Sequence, residues 1–492
     1  MVVAGGGPTG LMLAGELALA GVDVVIVERR TTQQVDGSRA GGLHARTLEV
    51  LDQRGIVERF VAAGEKHPAV GYAGIQLSID DFPTRHNYVL ALWQSEFEPV
   101  LAEWVADELA VPIMRGCSVV GFVQDATAVH VELSDGRMLR SDYLVGCDGG
   151  RSIVRKAAGI EFVGTDASTT WMIAEVEMDG RPEFGIRYDA AGIQAIGPAG
   201  DGSSVRVVLI DRNTDTGEEP TLDDLRDLLV AVYGTDFGLR DARWISRFTD
   251  MARQAAAYRN GRVLLAGDAA HVHGPMGGQG LNTGVQDAVN LGWKLARVVD
   301  GTSHDRLLDS YHAERHPVGA RVLDNTLAQV ALSRGDDRHL ALRSAMTELL
   351  NMDQPRRHIA GMISGLDIRY DPGRDGETDG HPLVGRRMPD LEVHTDRGPT
   401  RVYQLLHDAR PVLIDFSHTA DPGTPLRPER VKVVAATYGG RWELPVIGEV
   451  TAPGAVLIRP DGHVAWAGTP TGPEALTATV AAWFPSPNVP EP

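Results

Sequence analysis

The sequence contains little cysteine. Cys117 and Cys147 are the only two among 492 residues, too few for a disulfide framework or for a metal site built on thiolates. This usage fits a reducing compartment, and we expect a cytoplasmic protein. The longest apolar runs are shorter than the ~20 residues that a membrane-spanning helix needs. The first predicted strand starts at Val2, which leaves no room for a signal peptide. We therefore expect no membrane partner.

Basic residues are outnumbered by acidic ones. The chain has 47 Lys and Arg against 66 Asp and Glu, a net charge of −19, which argues against a nucleic acid as partner. His271 and His273 have the spacing of a metal-binding pair, but no third ligand is spaced to complete a site, and we expect no metal. The 43% hydrophobic and 23% charged residues are typical of a globular protein, and the length allows two or three domains.

Glycines are plentiful at the start of the chain. A short β-branched run meets Gly5, Gly7 and Gly10 at GxGxxG spacing, with Pro8 and Thr9 between them, and an apolar helical pattern follows. In this arrangement the first glycine permits a tight turn and the second lets the backbone approach a pyrophosphate. The third packs helix against strand, and the helix N-terminus attracts the phosphates. The pattern predicts a Rossmann-like dinucleotide site.

The next predicted strand ends in an acid. Glu28 lies about twenty residues after the glycines, where a carboxylate accepts hydrogen bonds from an adenosine ribose. An acid disfavours a ribose with a 2′-phosphate, so the tightly held nucleotide is not expected to be NADP. Arg29 follows it and is assigned to the same site.

A second glycine signature occurs late in the chain. An apolar strand ends in Gly267-Asp268, and a glycine loop from Gly274 to Asn282 leads into a helix predicted over Thr283 to Val298. Asp268 can accept hydrogen bonds from sugar hydroxyls. The amides from Gly278 to Asn282, at a helix start, form a positive nest. Such a nest suits the negative charge of a reduced flavin.

Between the two signatures the pattern changes. From Thr169 to Phe248 short strands alternate, with one helix predicted from Leu222 to Val232. Alternation with one covered face predicts an antiparallel sheet, which we interpret as a substrate domain inserted into the nucleotide domain. Residues 71–92 predict a smaller excursion toward it. Four polar residues could line its pocket, and the sequence leaves open which of them point inward: Arg187, Tyr188, Asp189 and Arg206.

Three motifs carry a resemblance to a known family. GxGxxG from Gly5, DGxxSxVR from Asp148 and GDAAH…GGQGxN from Gly267 occur in this order. Together they resemble the class A flavoprotein monooxygenases, single-component FAD enzymes with the para-hydroxybenzoate hydroxylase fold. The tail motif RPDGHVAW, from Arg459, resembles the C-terminal domain of phenol hydroxylase and the aromatic polyketide hydroxylases. With the tail included, the sequence resembles the bacterial aromatic polyketide hydroxylases and rifampicin monooxygenase over nearly its whole length.

The resemblance implies roles for single residues. Arg39 would hold the pyrophosphate, Gln94 would contact FAD near its ribitol, and Asp148 would order both the pyrophosphate and a passing nicotinamide. The flavin-edge loop, where oxygen reacts, would comprise Pro275, Met276 and Gly277, and no catalytic base is assigned. The residues assigned to the cofactor are Gly5, Gly7, Pro8, Thr9, Gly10, Glu28, Arg29, Arg39, Gly41, Gln94, Asp148, Asp268, Pro275, Gly278, Gly280, Leu281 and Asn282.

The expected fold class is α/β with three parts. Residues 1–168 and 249–380 are predicted to form the Rossmann-like FAD-binding domain, and residues 169–248 the inserted antiparallel sheet. Residues 381–492 resemble a thioredoxin-like domain; they contain no cysteine, which excludes thiol redox chemistry. Packing or oligomerisation, including a homodimer, is the expected use of this domain.

The resemblance implies an NAD(P)H- and O2-dependent monooxygenase. NADPH, or less favourably NADH, would reduce FAD transiently. Oxygen would then add at flavin C4a, and the hydroperoxide would hydroxylate a phenolic carbon of an aromatic polyketide, in antibiotic biosynthesis or inactivation. Two alternatives stay open: Baeyer–Villiger oxygenation of a polyketide ketone on the same scaffold, and a non-catalytic flavoprotein. A flavin halogenase is disfavoured because the WxWxIP segment is absent.

Overall fold

Short strands and helices alternate through most of the chain in the computed structural model. It describes residues 1–35, 37, 40–189, 192–199, 204–211, 219–371, 380–417, 430–469 and 473–484. The elements up to the central sheet are β1 (Val2–Ala4), α1 (Pro8–Leu19), β2 (Val25–Glu28), β3 (Gly42–Leu43), α2 (Ala45–Gln53), α3 (Val57–Val61), β4 (Glu65–His67), β5 (Ala69–Tyr72), β6 (Ile75–Ser78), β7 (Val89–Ala91), α4 (Gln94–Glu103), β8 (Ile113–Arg115), β9 (Val119–Gln124), β10 (Val129–Leu133), β11 (Met138–Ser141), β12 (Leu144–Gly146), α5 (Ile153–Ala157) and β13 (Phe162–Thr165).

The remaining elements follow in chain order. The central sheet and its helix are β14 (Thr170–Met178), β15 (Gly185–Asp189), β16 (Gly192–Pro198), β17 (Val205–Asp211), α6 (Leu222–Tyr233) and β18 (Leu239–Thr249). Then come β19 (Ala252–Ala255), β20 (Arg259–Asn260), β21 (Val263–Leu265), β22 (His271–Val272), α7 (Gln279–Val299), α8 (Asp309–Leu332), α9 (Asp337–Leu350) and α10 (Asp353–Ser364). The last are β23 (Glu392–Thr395), β24 (Gly398–Arg401), β25 (Val412–Asp415), β26 (Lys432–Thr437), β27 (Glu443–Leu444), β28 (Gly448–Glu449), β29 (Ala455–Ile458), β30 (Val464–Gly468) and α11 (Pro473–Trp483).

The sheet that organises the first part has the order β20-β21-β12-β1-β2-β8. β1 pairs in parallel with β12 on one side and β2 on the other, so the strand order reverses at β1. In such sheets ligands bind beyond the carboxyl ends of the strands at this reversal. The residues that follow β1, β2, β12 and β21 are those of the glycine turn, the Glu28 region, the Asp148 motif and the Asp268 motif.

Helices α1 and α7 pack closely on this sheet. β1 is buried along its whole length, as are Leu11, Leu13 and Leu17 of α1, each contributing about 1.5–3 kcal/mol by leaving water. A Cβ on Gly292 of α7 would lie 2.5 Å from Cβ of Glu16. The small residue therefore allows the two helices to approach.

The antiparallel sheet has the order β15-β16-β17-β14-β18. One face, including Met172, Ala174 and Val176 of β14, packs with Leu225 and Leu229 of α6 in a separate core. The opposite face carries the alternate side chains of the same strands. The alternation and the α6 helix agree with the sequence-based expectation.

The last sheet is mixed, with the order β24-β23-β26-β25-β29-β30. β25 pairs in parallel with β26 and antiparallel with β29. The chain is thus a mixed α/β protein, as predicted; the thioredoxin-like assignment of this part stays a prediction. Within the described residues, no helix combines the length and the apolar character needed to cross a membrane.

A turn between β29 and β30 reaches into the first part of the chain. The Pro460 carbonyl accepts hydrogen bonds from Gln53 Nε2 (2.7 Å) and Arg54 Nη2 (2.8 Å). The Asp461 carboxylate accepts one from Trp293 Nε1 (3.2 Å). Buried polar groups on both sides are thereby satisfied, and this Pro460–His463 turn ties the last sheet to α2 and α7.

Buried ion pairs reinforce the same junction. Glu314 of α8 accepts hydrogen bonds from Arg459 Nη1 (2.5 Å) and Lys294 Nζ (2.7 Å). Burial favours the neutral forms, yet Arg459 and Lys294 lower the pKa of Glu314 to about 2. Burial also lowers the pKa of Lys294 to about 8, although Glu314 opposes this. The group stays ionised at neutral pH and links α7, α8 and the last sheet.

Candidate functional site

The first glycine turn leaves space where a pyrophosphate would lie. Gly5 has φ +104°, and a Cβ there would be 2.3 Å from the Cys147 carbonyl oxygen. A Cβ on Gly10 would be 2.0 Å from the Gly5 carbonyl oxygen. A Cβ on Gly7, in contrast, would meet no atom within 4 Å. Two glycines are therefore required by the protein's own packing, and the third borders open space at the start of α1.

The two glycine signatures meet at Thr9. A Cβ on Gly267 would lie 2.5 Å from Thr9 Oγ1, and one on Gly284 would lie 2.3 Å from the same atom. The start of α1, the end of β21 and the first turns of α7 are therefore in direct contact. The two glycine motifs are far apart in sequence but lie side by side in the fold, so one dinucleotide could contact both.

Asp268 presents an exposed carboxylate beside this contact. It makes no hydrogen bond to the described part of the chain, so its oxygens are open to a sugar hydroxyl. The turn that carries Asp268 is anchored by Asp287 of α7. The Asp287 carboxylate accepts hydrogen bonds from Gly267 N (3.1 Å), His271 Nε2 (2.6 Å) and Arg315 Nε (2.7 Å). Burial would raise the pKa of Asp287, but Arg315 and His271 outweigh it and lower the pKa. Asp287 is thus a fixed anion.

The flavin-edge loop is shaped by two left-handed glycines. Gly277 has φ 72° and Gly278 has φ 62°, a conformation that side chains with a Cβ disfavour. They turn the chain from the exposed Pro275 into α7. Asn282 fixes the loop: its Nδ2 donates to the Gly278 carbonyl (2.8 Å) and its Oδ1 accepts from His44 N (2.8 Å).

This loop leads into a helix of 21 residues. The first amides of α7, including those of Gly280 and Leu281, have no partner within the helix and carry its positive end. An anionic ring system would be stabilised there. The residues present therefore fit the flavin that the sequence predicts.

The predicted ribose site is built around Glu28. Its Oε2 accepts a hydrogen bond from Gly6 N (2.6 Å), and its Oε1 accepts from Arg30 N (2.8 Å) and Arg30 Nε (3.0 Å). Burial opposes ionisation, but these bonds from Arg30 and Gly6 lower the pKa of Glu28. A carboxylate held in this way keeps lone pairs for ribose hydroxyls.

A buried acid next to this carboxylate was missed by the sequence reasoning. Glu98, on α4, is fully buried and accepts hydrogen bonds from Arg30 Nη2 (2.5 Å), Gln33 Nε2 (2.5 Å) and Gln94 Nε2 (3.0 Å). Arg30 Nη2 also donates to the Gly6 carbonyl (3.2 Å). The available signal was Glu98 four residues after Gln94, which puts both side chains on one helix face.

The structure gives the surroundings of the other residues assigned to the cofactor. Arg29 is exposed at the end of β2, and its neighbour Arg30 reaches the glycine turn. The Asp148 carboxylate caps α5, accepting from Ser152 Oγ (2.5 Å) and Ile153 N (2.7 Å). Gly41 lets the Trp93 ring approach, since a Cβ would lie 2.4 Å from it. Arg39 lies outside the described residues. Met276 is half-buried and follows Pro275.

The inward face of the antiparallel sheet is aromatic and charged. The rings of Trp171 and Phe248 stack with centroids 5.4 Å apart. Arg206, one of the four residues left open, lies on this face with its guanidinium 3.7 Å from the Trp93 ring centroid. Arg187 lies on the other face, where it donates to the Val232 carbonyl at the end of α6 (2.8 Å). The side chains of Tyr188 and Asp189 are outside the described set.

His271 and His273 have the spacing of a metal-binding pair, and the structure describes their surroundings. Among the described residues no group of three or more His, Cys, Asp or Glu side chains could hold an ion. Instead, burial lowers the pKa of His273, and the same cause brings the pKa of His44 to about 4. Both rings are therefore neutral at neutral pH.

The two glycine signatures meet at the reversal of a parallel sheet, next to the carboxylates of Glu28 and Asp268, and this arrangement suits a dinucleotide such as FAD. Comparison with known proteins agrees with this cofactor. Residues 1–326 match the family model described as FAD binding domain, and residues 381–487 match that described as aromatic-ring hydroxylase, C-terminal. The chain belongs to the FAD-dependent aromatic-ring hydroxylases. It is an FAD-dependent monooxygenase, as the sequence predicted.

Similar proteins match along the whole chain. Rifampicin monooxygenase of Streptomyces venezuelae is 44% identical, with 98% of both chains covered. The 12-dehydrotetracycline 5-monooxygenase/anhydrotetracycline 6-monooxygenase of Streptomyces rimosus is 43% identical, again with 98% of both chains covered. The solved structure of the anhydrotetracycline hydroxylase OxyS from Streptomyces rimosus has a TM-score of 0.89 at 41% identity, covering 99% of both chains.

Proposed function

We propose that this monooxygenase hydroxylates a phenolic ring of a polycyclic aromatic polyketide, in the biosynthesis or inactivation of an antibiotic. The similar proteins are named for rifampicin and anhydrotetracycline, and both molecules are aromatic polyketides. The observation that carries the proposal is the position of the aromatic sheet face. Arg206 of that face touches Trp93, the residue that precedes the cofactor candidate Gln94.

We propose the residues that would hold FAD from the sequence motifs and, where the structure describes them, from their surroundings. Open space beside Gly7 and the start of α1 suit the pyrophosphate, Glu28 suits the adenosine ribose, and Asp268 suits the ribitol. The amides of Leu281 and Asn282 suit the flavin ring. When bound, FAD supplies the two-electron redox chemistry that activates oxygen. The other proposed contacts are Gly5, Pro8, Thr9, Gly10, Arg29, Arg39, Gly41, Gln94, Asp148, Pro275, Gly278 and Gly280.

The protein's own contribution is to orient the substrate and exclude water. Trp171 and Phe248 offer a flat apolar surface for fused rings, and the Pro275–Gly277 loop would border the reacting carbon. Excluding water strengthens every electrostatic interaction inside such a pocket. We propose NADPH, or alternatively NADH, as the transient reductant, because neither glycine signature is left for a second resident nucleotide.

The proposed division of the chain completes this picture. Residues 1–168 and 249–380 would bind FAD, residues 169–248 would cover the substrate, and residues 381–492 would form a cysteine-free thioredoxin-like domain. We place the protein in the cytoplasm and assign the last domain to packing or to a homodimer.

The test is a substrate screen on the FAD-loaded protein. NADPH oxidation and oxygen consumption are followed with aromatic polyketides, and products are identified by mass and by NMR. We expect stimulation by phenolic polyketides and a product with one added hydroxyl. Oxygen inserted between a carbonyl and its neighbouring carbon would instead indicate the Baeyer–Villiger alternative. Protein that binds FAD but shows no stimulation by any phenolic polyketide would favour the non-catalytic one.

A further inference from the structure

Three side chains form a row across the face of the antiparallel sheet that looks toward the cofactor candidates. Trp244 of β18 and Arg206 of β17 are both register partners of Glu175 on β14, so all three project from the same face. Glu175 and Arg206 form an ion pair. The Trp244 ring lies against Gly37, where a Cβ would be 2.0 Å from it. The row therefore lies between the sheet and the loops of the first part.

Arg206 has unused hydrogen-bonding capacity in this row. Its side chain is only 12% exposed, and its Nε is buried without a hydrogen-bond partner. A buried donor left unsatisfied is unfavourable, and an acceptor that arrives with a ligand would satisfy it. The guanidinium also lies 3.7 Å from the Trp93 ring centroid, which fixes its plane.

We propose that Arg206 is a specificity-determining residue that binds an ionised phenolic oxygen of the aromatic substrate. The proposal rests on the proposed function, which supplies the phenol. A planar guanidinium matches a pair of neighbouring oxygens and stacks on rings, and polycyclic phenols often carry a hydroxyl beside a carbonyl. On binding, the phenol releases its proton to solvent, and no other bond changes. Ionisation makes the ring richer in electrons, and its carbons therefore react more readily with an electrophilic oxygen.

Glu175 limits the strength of this interaction. Its carboxylate already neutralises part of the Arg206 charge through Nη2, while the buried Nε has no acceptor among the described residues. Helix α4, which follows Trp93, carries the acids Glu96, Glu98 and Glu103; the Glu96 carboxylate accepts from Trp93 N at 3.3 Å, and Glu98 is paired with Arg30. Removing Arg206 and removing the charge of Glu175 should therefore change the ionisation of a bound phenol in opposite directions. A merely structural ion pair would not produce opposite signs.

The experiment uses alizarin, a dihydroxyanthraquinone whose visible band shifts when its phenol ionises, on the FAD-loaded protein. Titration with pH gives the apparent pKa of the bound dye. We expect this pKa to be about one unit below that of the free dye. Arg206→Gln should abolish the shift, Arg206→Lys should keep part of it, and Glu175→Gln should enlarge it. Arg187→Gln, on the opposite face of the same sheet, is the matched control and should behave as the parent.

The outcomes separate the inference from the proposed function. FAD absorbance and circular dichroism first verify that each variant is folded and loaded. Bound alizarin with the same pKa in the parent and in Arg206→Gln would overturn the role of Arg206 alone. A parent that does not bind alizarin would overturn it as well. In both cases the proposed hydroxylation is tested separately, by the NADPH oxidation and product-mass screen described above.

Discussion

At the scale of single residues, Gly5, Gly7 and Gly10 of the first turn have different roles. Gly5 and Gly10 face the protein's own carbonyl oxygens, and only Gly7 borders open space. Sequence spacing alone assigns all three to one motif. The structure shows which of them serves the fold and which would serve a ligand.

Replacing these glycines should therefore have different results. Gly7→Ala should leave the thermal stability of the apoprotein nearly unchanged and raise the Kd for FAD at least about tenfold, roughly 1.4 kcal/mol, because the methyl group enters the pyrophosphate space. Gly5→Ala should destabilise the fold itself. Calorimetry of the apoprotein and fluorescence titration with FAD measure the two effects. Gly71→Ala, also open to space, is the control and should keep the parent's FAD affinity; unchanged affinity in Gly7→Ala would contradict the assignment.

Two buried histidines predict a pH dependence of stability. Burial lowers the pKa of His44 and of His463 to about 4, whereas in the unfolded chain both are near 6.5. Between these values the unfolded state binds more protons, so the free energy of unfolding falls as pH drops from about 6.5 to about 4. Each histidine contributes on the order of 3 kcal/mol. Urea denaturation at several pH values measures the slope, which His44→Asn should reduce; equal slopes in both proteins would exclude this role for His44.

At the scale of elements, α1 and α7 approach closely at two contacts, Gly292 with Glu16 and Gly284 with Thr9. Gly284→Ala would place a methyl group 2.3 Å from Thr9 Oγ1 and should cost roughly 1–3 kcal/mol through overpacking. Thr9→Ala in the same chain removes the opposing atoms and should restore much of the loss. A double-mutant cycle by chemical denaturation measures this coupling. If the two changes were simply additive, Thr9 would not be a contact that limits the helix approach.

Elements were easier to predict than the directions of their side chains. The strands and helices around Gly5, Glu28 and Asp268 follow from apolar periodicity and glycine spacing, because both report local backbone structure. The face on which Arg187 or Arg206 lies could not be predicted, since it depends on where α6 packs. Local patterns contain no information about that distant contact.

The Glu98 cluster shows a similar limit. Its members come from the end of β2, the loop after it and α4, which are far apart in sequence. A single buried acid on a helix gives no indication of its partners until the sheet order brings β2 and α4 together. Whether Arg29 or Arg30 reaches the glycine turn depends on the direction in which the chain leaves β2. The amino-acid sequence alone does not predict that direction.

At the scale of the whole molecule, buried charges join the last sheet to the rest. Glu314→Gln would leave Arg459 and Lys294 buried with less compensation, at a cost of about 3–5 kcal/mol. We expect the carboxyl-terminal part to unfold separately in this variant, as two calorimetric transitions. Glu348→Gln, at an exposed position of α9, is the matched control and should unfold as the parent does. An unfolding profile of Glu314→Gln identical to the parent's would contradict the role of the junction.

The same carboxylate predicts acid sensitivity of the parent protein. Since its folded pKa is about 2 and its unfolded value is near 4.5, the stabilisation is complete above about pH 4.5 and is lost as pH falls toward 2. Loss of the last sheet should be visible in tryptophan fluorescence, because Trp293 contacts Asp461 at the junction. Fluorescence that stays native down to about pH 2 would count against this.

The Pro460–His463 turn also bears on how such enzymes can be recombined. Its contacts at Gln53, Arg54 and Trp293 belong to the first part of the chain, so a hybrid whose crossover lies between Trp293 and Pro460 would combine one parent's turn with the other parent's contact residues. The curated relatives match over 98% of their length, both parts together. We therefore expect a carboxyl-terminal segment to be exchangeable between such enzymes only together with the residues of α2, α7 and α8 that contact this turn and Arg459.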